Sequence, residues 1–108
     1  MTSTKDVIFR TNDLAAAKAY YHGALGFPIV TDSDRMLGFD TGAVAVYFEP
    51  GDANGAVFEF EVEDIAKTKA EMLARGCSLV EENPAIPRCY MRDPFGLVFN
   101  LTRTFSQS

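Results

Sequence analysis

The sequence predicts an α+β chain built from two tandem copies of one β-α-β-β-β unit. Strand-like alternation, an Asp-initiated helix and a glycine follow one another over residues 5–26, and the same order returns over residues 57–76. A breaker, Pro50-Gly51-Asp52-Ala53-Asn54-Gly55, separates the two passages. The period of roughly 50 residues is an internal repeat, the strongest organisational signal in the chain.

Each element has its own warrant. Lys5–Thr11 alternates, with Val7, Phe9 and Thr11 on one side and Asp6, Ile8 and Arg10 on the other, the period of a half-buried strand. Asn12-Asp13 supplies an N-cap for a helix over Leu14–Leu25, in which Leu14, Ala17, Tyr21 and Leu25 share a face, and Gly26 ends it. Strands are expected at Phe27–Thr31, Met36–Asp40 and Ala43–Glu49, the last two joined at Thr41-Gly42. In the second copy Val57–Val62 alternates, Glu63-Asp64 caps a helix over Ile65–Arg75, and Gly76 stops it. Strands at Cys77–Glu82, Arg88–Arg92 and Leu97–Arg103 follow, the last pair around the turn Asp93-Pro94-Phe95-Gly96.

The 108 residues fit a single domain over 1–108, with one repeat at about 5–50 and the other at about 56–103. With 47 % apolar and 23 % charged residues the chain can form its own core without metal or disulfide staples. A net charge of -5 argues against nucleic acid and against an anionic membrane surface. No apolar run approaches the ~20 residues of a membrane span. The opening MTSTKDVIF lacks the apolar stretch of a signal peptide, and two cysteines in a chain with core enough suggest free thiols. The expected place is the cytoplasm. His22, the only histidine, closes the first helix and is expected to serve the helix end or face solvent.

Asp13-Leu14, Tyr20-Tyr21 and Leu25-Gly26-Phe27 resemble the opening of the vicinal oxygen chelate superfamily, which includes glyoxalase I, extradiol dioxygenases, and fosfomycin- and bleomycin-resistance proteins. Phe58-Glu59-Phe60-Glu61-Val62-Glu63-Asp64, Gly76 and Asp93-Pro94-Phe95-Gly96 resemble the second half of that pattern. The resemblance implies that the two units form a curved, cup-shaped mixed sheet with helices on its convex face, and that two chains pair as a homodimer. An exposed sheet edge on so short a chain points the same way.

The resemblance also implies four metal-ligand positions, falling at Asp6, Glu49, Val57 and Asn100. Val57 has no donor, Asn100 is a weak neutral one, and the imidazoles that zinc, nickel or iron sites prefer are missing. No metal and no other cofactor is therefore expected. No nucleophile–base pair is visible either, so no catalytic residue is assigned.

Alternation places Tyr47, Glu49, Glu59, Arg88 and Tyr90 on the cup side, and these five form the expected ligand-binding set. Glu49, Glu59 and Glu61 would draw a cation, or are simply a wet strand face. Arg88 would clamp an anion, or neutralise Glu59 or Glu61. Tyr47 and Tyr90 offer flat apolar surface with a polar tip. Phe58, Phe60, Val46 and Phe48 are expected in the core under the helices. The function this implies is metal-free binding of a small organic molecule, cationic or aromatic, resembling the sequestering proteins of bleomycin resistance. The alternative is a divalent-metal lyase, isomerase or dioxygenase.

Overall fold

The computed structural model describes residues 1–53, 55–86 and 88–103. The elements run β1 (Thr2–Thr11), α1 (Leu14–Lys18), β2 (Ile29–Asp32), β3 (Leu37–Asp40), β4 (Ala45–Pro50), β5 (Val57–Val62), α2 (Ile65–Ala74), β6 (Ser78–Asn83), β7 (Arg88–Arg92) and β8 (Val98–Arg103). The α+β class and the repeated βαβββ unit are as the sequence predicts. The chain forms two compact units, one from Lys5 to Ala56, the other joining Met1–Thr4 to the segment from Val57 onward. Among the described residues no helix is long and apolar enough to cross a membrane.

The two units share one strand plan. In the first the order is β2-β3-β4-β1, with β1 parallel to β4 and the other pairs antiparallel. In the second it is β5-β8-β7-β6, with β5 parallel to β8. Both helices start on the aspartates that the sequence marks: Asp13 accepts from the Ala16 amide at 2.9 Å and Asp64 from the Lys67 amide at 3.0 Å.

The first helix departs from expectation. Only five residues are α-helical, and Ala19–Ala24 continue as a π-helical turn in which the Leu25 amide reaches back to the Tyr20 carbonyl. The wider turn accompanies an aromatic core. Tyr21 packs on Phe39 and Phe48 with centroids 5.7 and 5.4 Å away, and Phe9 stacks on Phe48 at 5.6 Å. His22 Nδ1 meets the Phe27 carbonyl at 2.8 Å, a helix-end role as expected.

In the second unit Val62, Cys89, Met91, Phe99 and Leu101 form the core, with Phe60, Ile65, Met72 and Cys77 packed against it. Phe58 was expected there and is not: it stays 39 % exposed. This core gathers around the C-terminal end of β5, next to the start of α2, and Phe58 lies at the other end of the strand. Both cysteines are free thiols.

The edge strands carry matching irregularities. The β2–β3 register slips by one between Ile29 and Thr31, and the β6–β7 register between Leu79 and Glu81. The extra residue of each bulge is a half-exposed valine, Val30 at 49 % and Val80 at 42 %.

Candidate functional site

Paired residues on neighbouring strands share a sheet face, so the registers show what each half presents opposite its core. In the first unit Tyr47 lies between Ile8 on β1 and Gly38 on β3, and Glu49 beside Arg10. Arg10 Nε donates to Glu49 Oε1 at 3.0 Å, with side-chain exposures of 20 % and 8 %. Gly51 makes room for this pair. Its φ of +148° is a backbone rarely taken by other residues, and a Cβ there would stand 3.0 Å from Arg10 Cδ.

In the second unit Glu59 lies beside Asn100, and Tyr90 between Asn100 and Glu81. Asn100, 7 % exposed, is a brace: its Oδ1 accepts from the Cys89 amide at 3.0 Å and its Nδ2 donates to Glu59 Oε2 at 3.1 Å. Thr4 Oγ1 donates to the other Glu59 oxygen at 3.3 Å. Arg88 is tied to Glu81 on β6 at 2.6 Å and sits 4.9 Å over the ring of Tyr90, which is itself only 3 % exposed.

All five expected residues lie on strands, Tyr47 and Glu49 on β4, Glu59 on β5, Arg88 and Tyr90 on β7. Arg88 bonds Glu81 on the neighbouring strand. The bulge at Val80 brings Glu81 opposite Tyr90, and no residue pattern announces a one-residue slip. Thr4 was missed because β1 starts at Thr2, three residues before the alternation becomes readable. Gly38 was missed because its role is to leave space.

Two ionisable groups outside these networks are perturbed. Lys69 donates to both Glu82 carboxylate oxygens at 2.8 and 2.9 Å, and this hydrogen bonding raises its pKa. Burial pushes the Cys89 thiol up, with the Glu82 carboxylate adding to the effect. A thiol held protonated is a poor nucleophile.

The donors for a divalent ion do not fit. The position implied at Val57 is an apolar side chain, 2 % exposed. Asn100 lies seven residues after Asp93 and opposite Glu59; the residue seven after Asp40 and opposite Ile8 is Tyr47, not Glu49. The repeat thus matches Asn100 with a phenol, and Glu49 lies two residues beyond, paired with Arg10. Among the described residues no group of three or more His, Cys, Asp or Glu side chains is gathered as a metal site.

Two cavities bear on binding. An open cleft of about 620 Å³ in the second unit is lined by residues including Glu61, Asp64, Lys67 and Glu71, and contains none of the five expected residues. A smaller one of about 140 Å³ in the first unit is lined in part by Tyr47.

A family model for a glyoxalase-like domain matches residues 6–102. Comparison with curated proteins finds no match. Among solved structures, a glyoxalase/bleomycin resistance protein/dioxygenase superfamily member from Vibrio splendidus 12B01 is 18 % identical with a TM-score of 0.67, covering 95 % of this chain and 100 % of that one. The Mn(II)-bound glyoxalase from Novosphingobium aromaticivorans is 20 % identical, TM-score 0.64, over 94 % of this chain and 38 % of its own. Homoprotocatechuate 2,3-dioxygenase from Brevibacterium fuscum is 14 % identical, TM-score 0.69, over 99 % of this chain and 38 % of its own. At these identities the likeness concerns the fold, and this chain spans well under half of the last two. The repeated βαβββ plan, its strand order and the match over residues 6–102 agree: the chain belongs to the glyoxalase-like domain family of the vicinal oxygen chelate superfamily.

Proposed function

We propose that this domain binds a small organic molecule without a metal ion, as a sequestering protein does, and does not itself catalyse a reaction. The observation that carries this reading is the use made of Asn100. The position implied for a metal ligand holds a buried amide engaged on both its oxygen and its nitrogen, by the Cys89 amide and by Glu59. A binder needs only complementary shape and charge, so the loss of imidazole and carboxylate donors costs it nothing. The groups this reading uses are on the strand face of each half, Tyr47 and Glu49 in the first, Glu59, Arg88 and Tyr90 in the second, with Glu49 and Tyr90 buried beneath their neighbours.

The working unit in this reading is a cytoplasmic homodimer, because β2 and β6 each end a half's strand order with half-exposed apolar residues such as Val30, Leu79 and Val80. Light scattering at micromolar concentration reads the oligomeric state, and a monomer removes the dimer.

The test of function is a thermal-shift screen of cationic drugs, small acids and aromatic metabolites, run with and without EDTA. Stabilisation that survives the chelator supports the reading. Stabilisation lost with the chelator favours the divalent-metal lyase or dioxygenase, and a screen without hits contradicts binding.

A further inference from the structure

Gly38 lies inside β3, where glycine weakens a strand. Its φ is not positive, so the backbone does not call for glycine. The requirement comes from the space above it. A Cβ on residue 38 would stand 2.5 Å from Tyr47 Cε1 and 2.7 Å from Cδ1, with Val30 Cγ2 at 3.2 Å. Any larger residue would lift the Tyr47 ring off β3. The bulge at Val30 adds a second apolar group beside that ring.

The cavity of about 140 Å³ lies at this ring. Tyr47, Val30 and Val44 give it apolar and aromatic wall, and Asp6, Asp40 and Lys5 give it charge. Val30 and Val44 are 49 % and 38 % exposed, so the wall faces water. Two carboxylates against one ammonium leave the lining net negative. The volume is well below the roughly 300–1,000 Å³ of a whole drug-sized site, so it suits one headgroup.

Within the binding role proposed above, we infer that this cavity takes the alkylammonium headgroup of a small organic cation, with Tyr47 as its aromatic floor and Gly38 as the residue that keeps the floor in place. The ring face attracts the cation through its quadrupole, and Asp6 and Asp40 supply the opposite charge. A neutral group of the same shape meets the apolar wall and gains neither. An inorganic ion meets the carboxylates and gains nothing from Val30 and Val44.

Choline and 3,3-dimethylbutan-1-ol have the same shape and differ by nitrogen against carbon. Titrating each into isotopically labelled protein, and following the amides of Val30, Val44 and Tyr47, gives the preference directly. Wild type is expected to favour choline about tenfold, and Tyr47→Leu and Asp40→Asn each to reduce that to about two- to threefold. Gly38→Ala should do the same with Tyr47 present, because the ring is displaced; Tyr47→Leu keeps the test open if that variant does not fold. Added salt should reduce the preference. Equal affinities in wild type, or an undiminished preference in Tyr47→Leu, overturn the inference. Chelator-resistant hits in the screen with no choline binding overturn the headgroup site and leave the binder reading standing. Choline binding while every screen hit needs a metal does the reverse.

Discussion

The guanidinium of Arg88 lies 4.9 Å over the centroid of Tyr90, and Glu81 anchors it there through a 2.6 Å ion pair. The ring beneath is 3 % exposed, so Tyr90 is as much a packing residue as a surface one. Tyr90→Ala is expected to destabilise the fold by roughly 3–5 kcal/mol, as for other buried aromatics. Tyr90→Phe keeps the ring under Arg88 and should cost no more than about 1 kcal/mol. Urea denaturation of the two variants checks this, and only Tyr90→Phe is suited to a binding assay.

The Arg10–Glu49 pair predicts an asymmetry. Arg10→Met leaves the Glu49 carboxylate, 8 % exposed, without this partner and should cost about 3 kcal/mol. The double variant Arg10→Met with Glu49→Leu should recover much of the loss, because no buried charge remains. Denaturant midpoints of the single and double variants measure the difference. A double variant as unstable as the single would mean that the pair itself, not the stranded charge, matters.

Asn100→Asp puts a second carboxylate where Asn100 Nδ2 now donates to Glu59 at 3.1 Å. Like charges this close raise one pKa. At pH 7 the variant should lose about 2–4 kcal/mol, and lowering the pH through the carboxylate range should restore part of it as the two acids come to share a proton. Stability that does not improve on acidification, relative to wild type, would remove Asn100 from its bracing role.

Two native groups predict the alkaline side. Lys69, raised by its hydrogen bond to Glu82, and Cys89, raised by burial, both hold their protons more tightly folded than unfolded. Their contributions are therefore fully present below the unfolded values of 10.5 and 9.0 and are lost as pH rises through the folded ones. Urea titrations should show stability declining above pH 9.0, with a shallower decline in Cys89→Ala. At pH 8 a thiol reagent should modify Cys89 only as fast as the protein opens.

How far the sequence could be read follows from what kind of information it holds. Asp13 and Asp64 cap helices where they were expected, and β5 and β7 have the expected bounds, because capping and period-two alternation are local. Alternation also gives the parity of a side chain, but not its burial: Tyr90 alternates with Cys89 and Met91, and all three are buried. Nor does alternation give the neighbour across the ladder. Arg88 finds Glu81 because of a bulge at Val80, and Glu49 finds Arg10 because β1 and β4 pair in one particular register. Phe58 shows the remaining gap: parity puts it on the same face as Phe60 and Val62, yet it stays 39 % exposed and outside their core cluster. Phe99→Ala, from the core, should cost roughly 3–5 kcal/mol, and Phe58→Ala about 1–2 kcal/mol.

The central claim is that this glyoxalase-like domain works without a divalent ion, and elemental analysis of protein purified without chelator tests it most directly. The residues at the four implied positions, Asp6, Glu49, Val57 and Asn100, predict substoichiometric Mn, Fe, Ni and Zn that falls further on gel filtration. One tightly held equivalent of any of these per chain, retained through gel filtration, would contradict it.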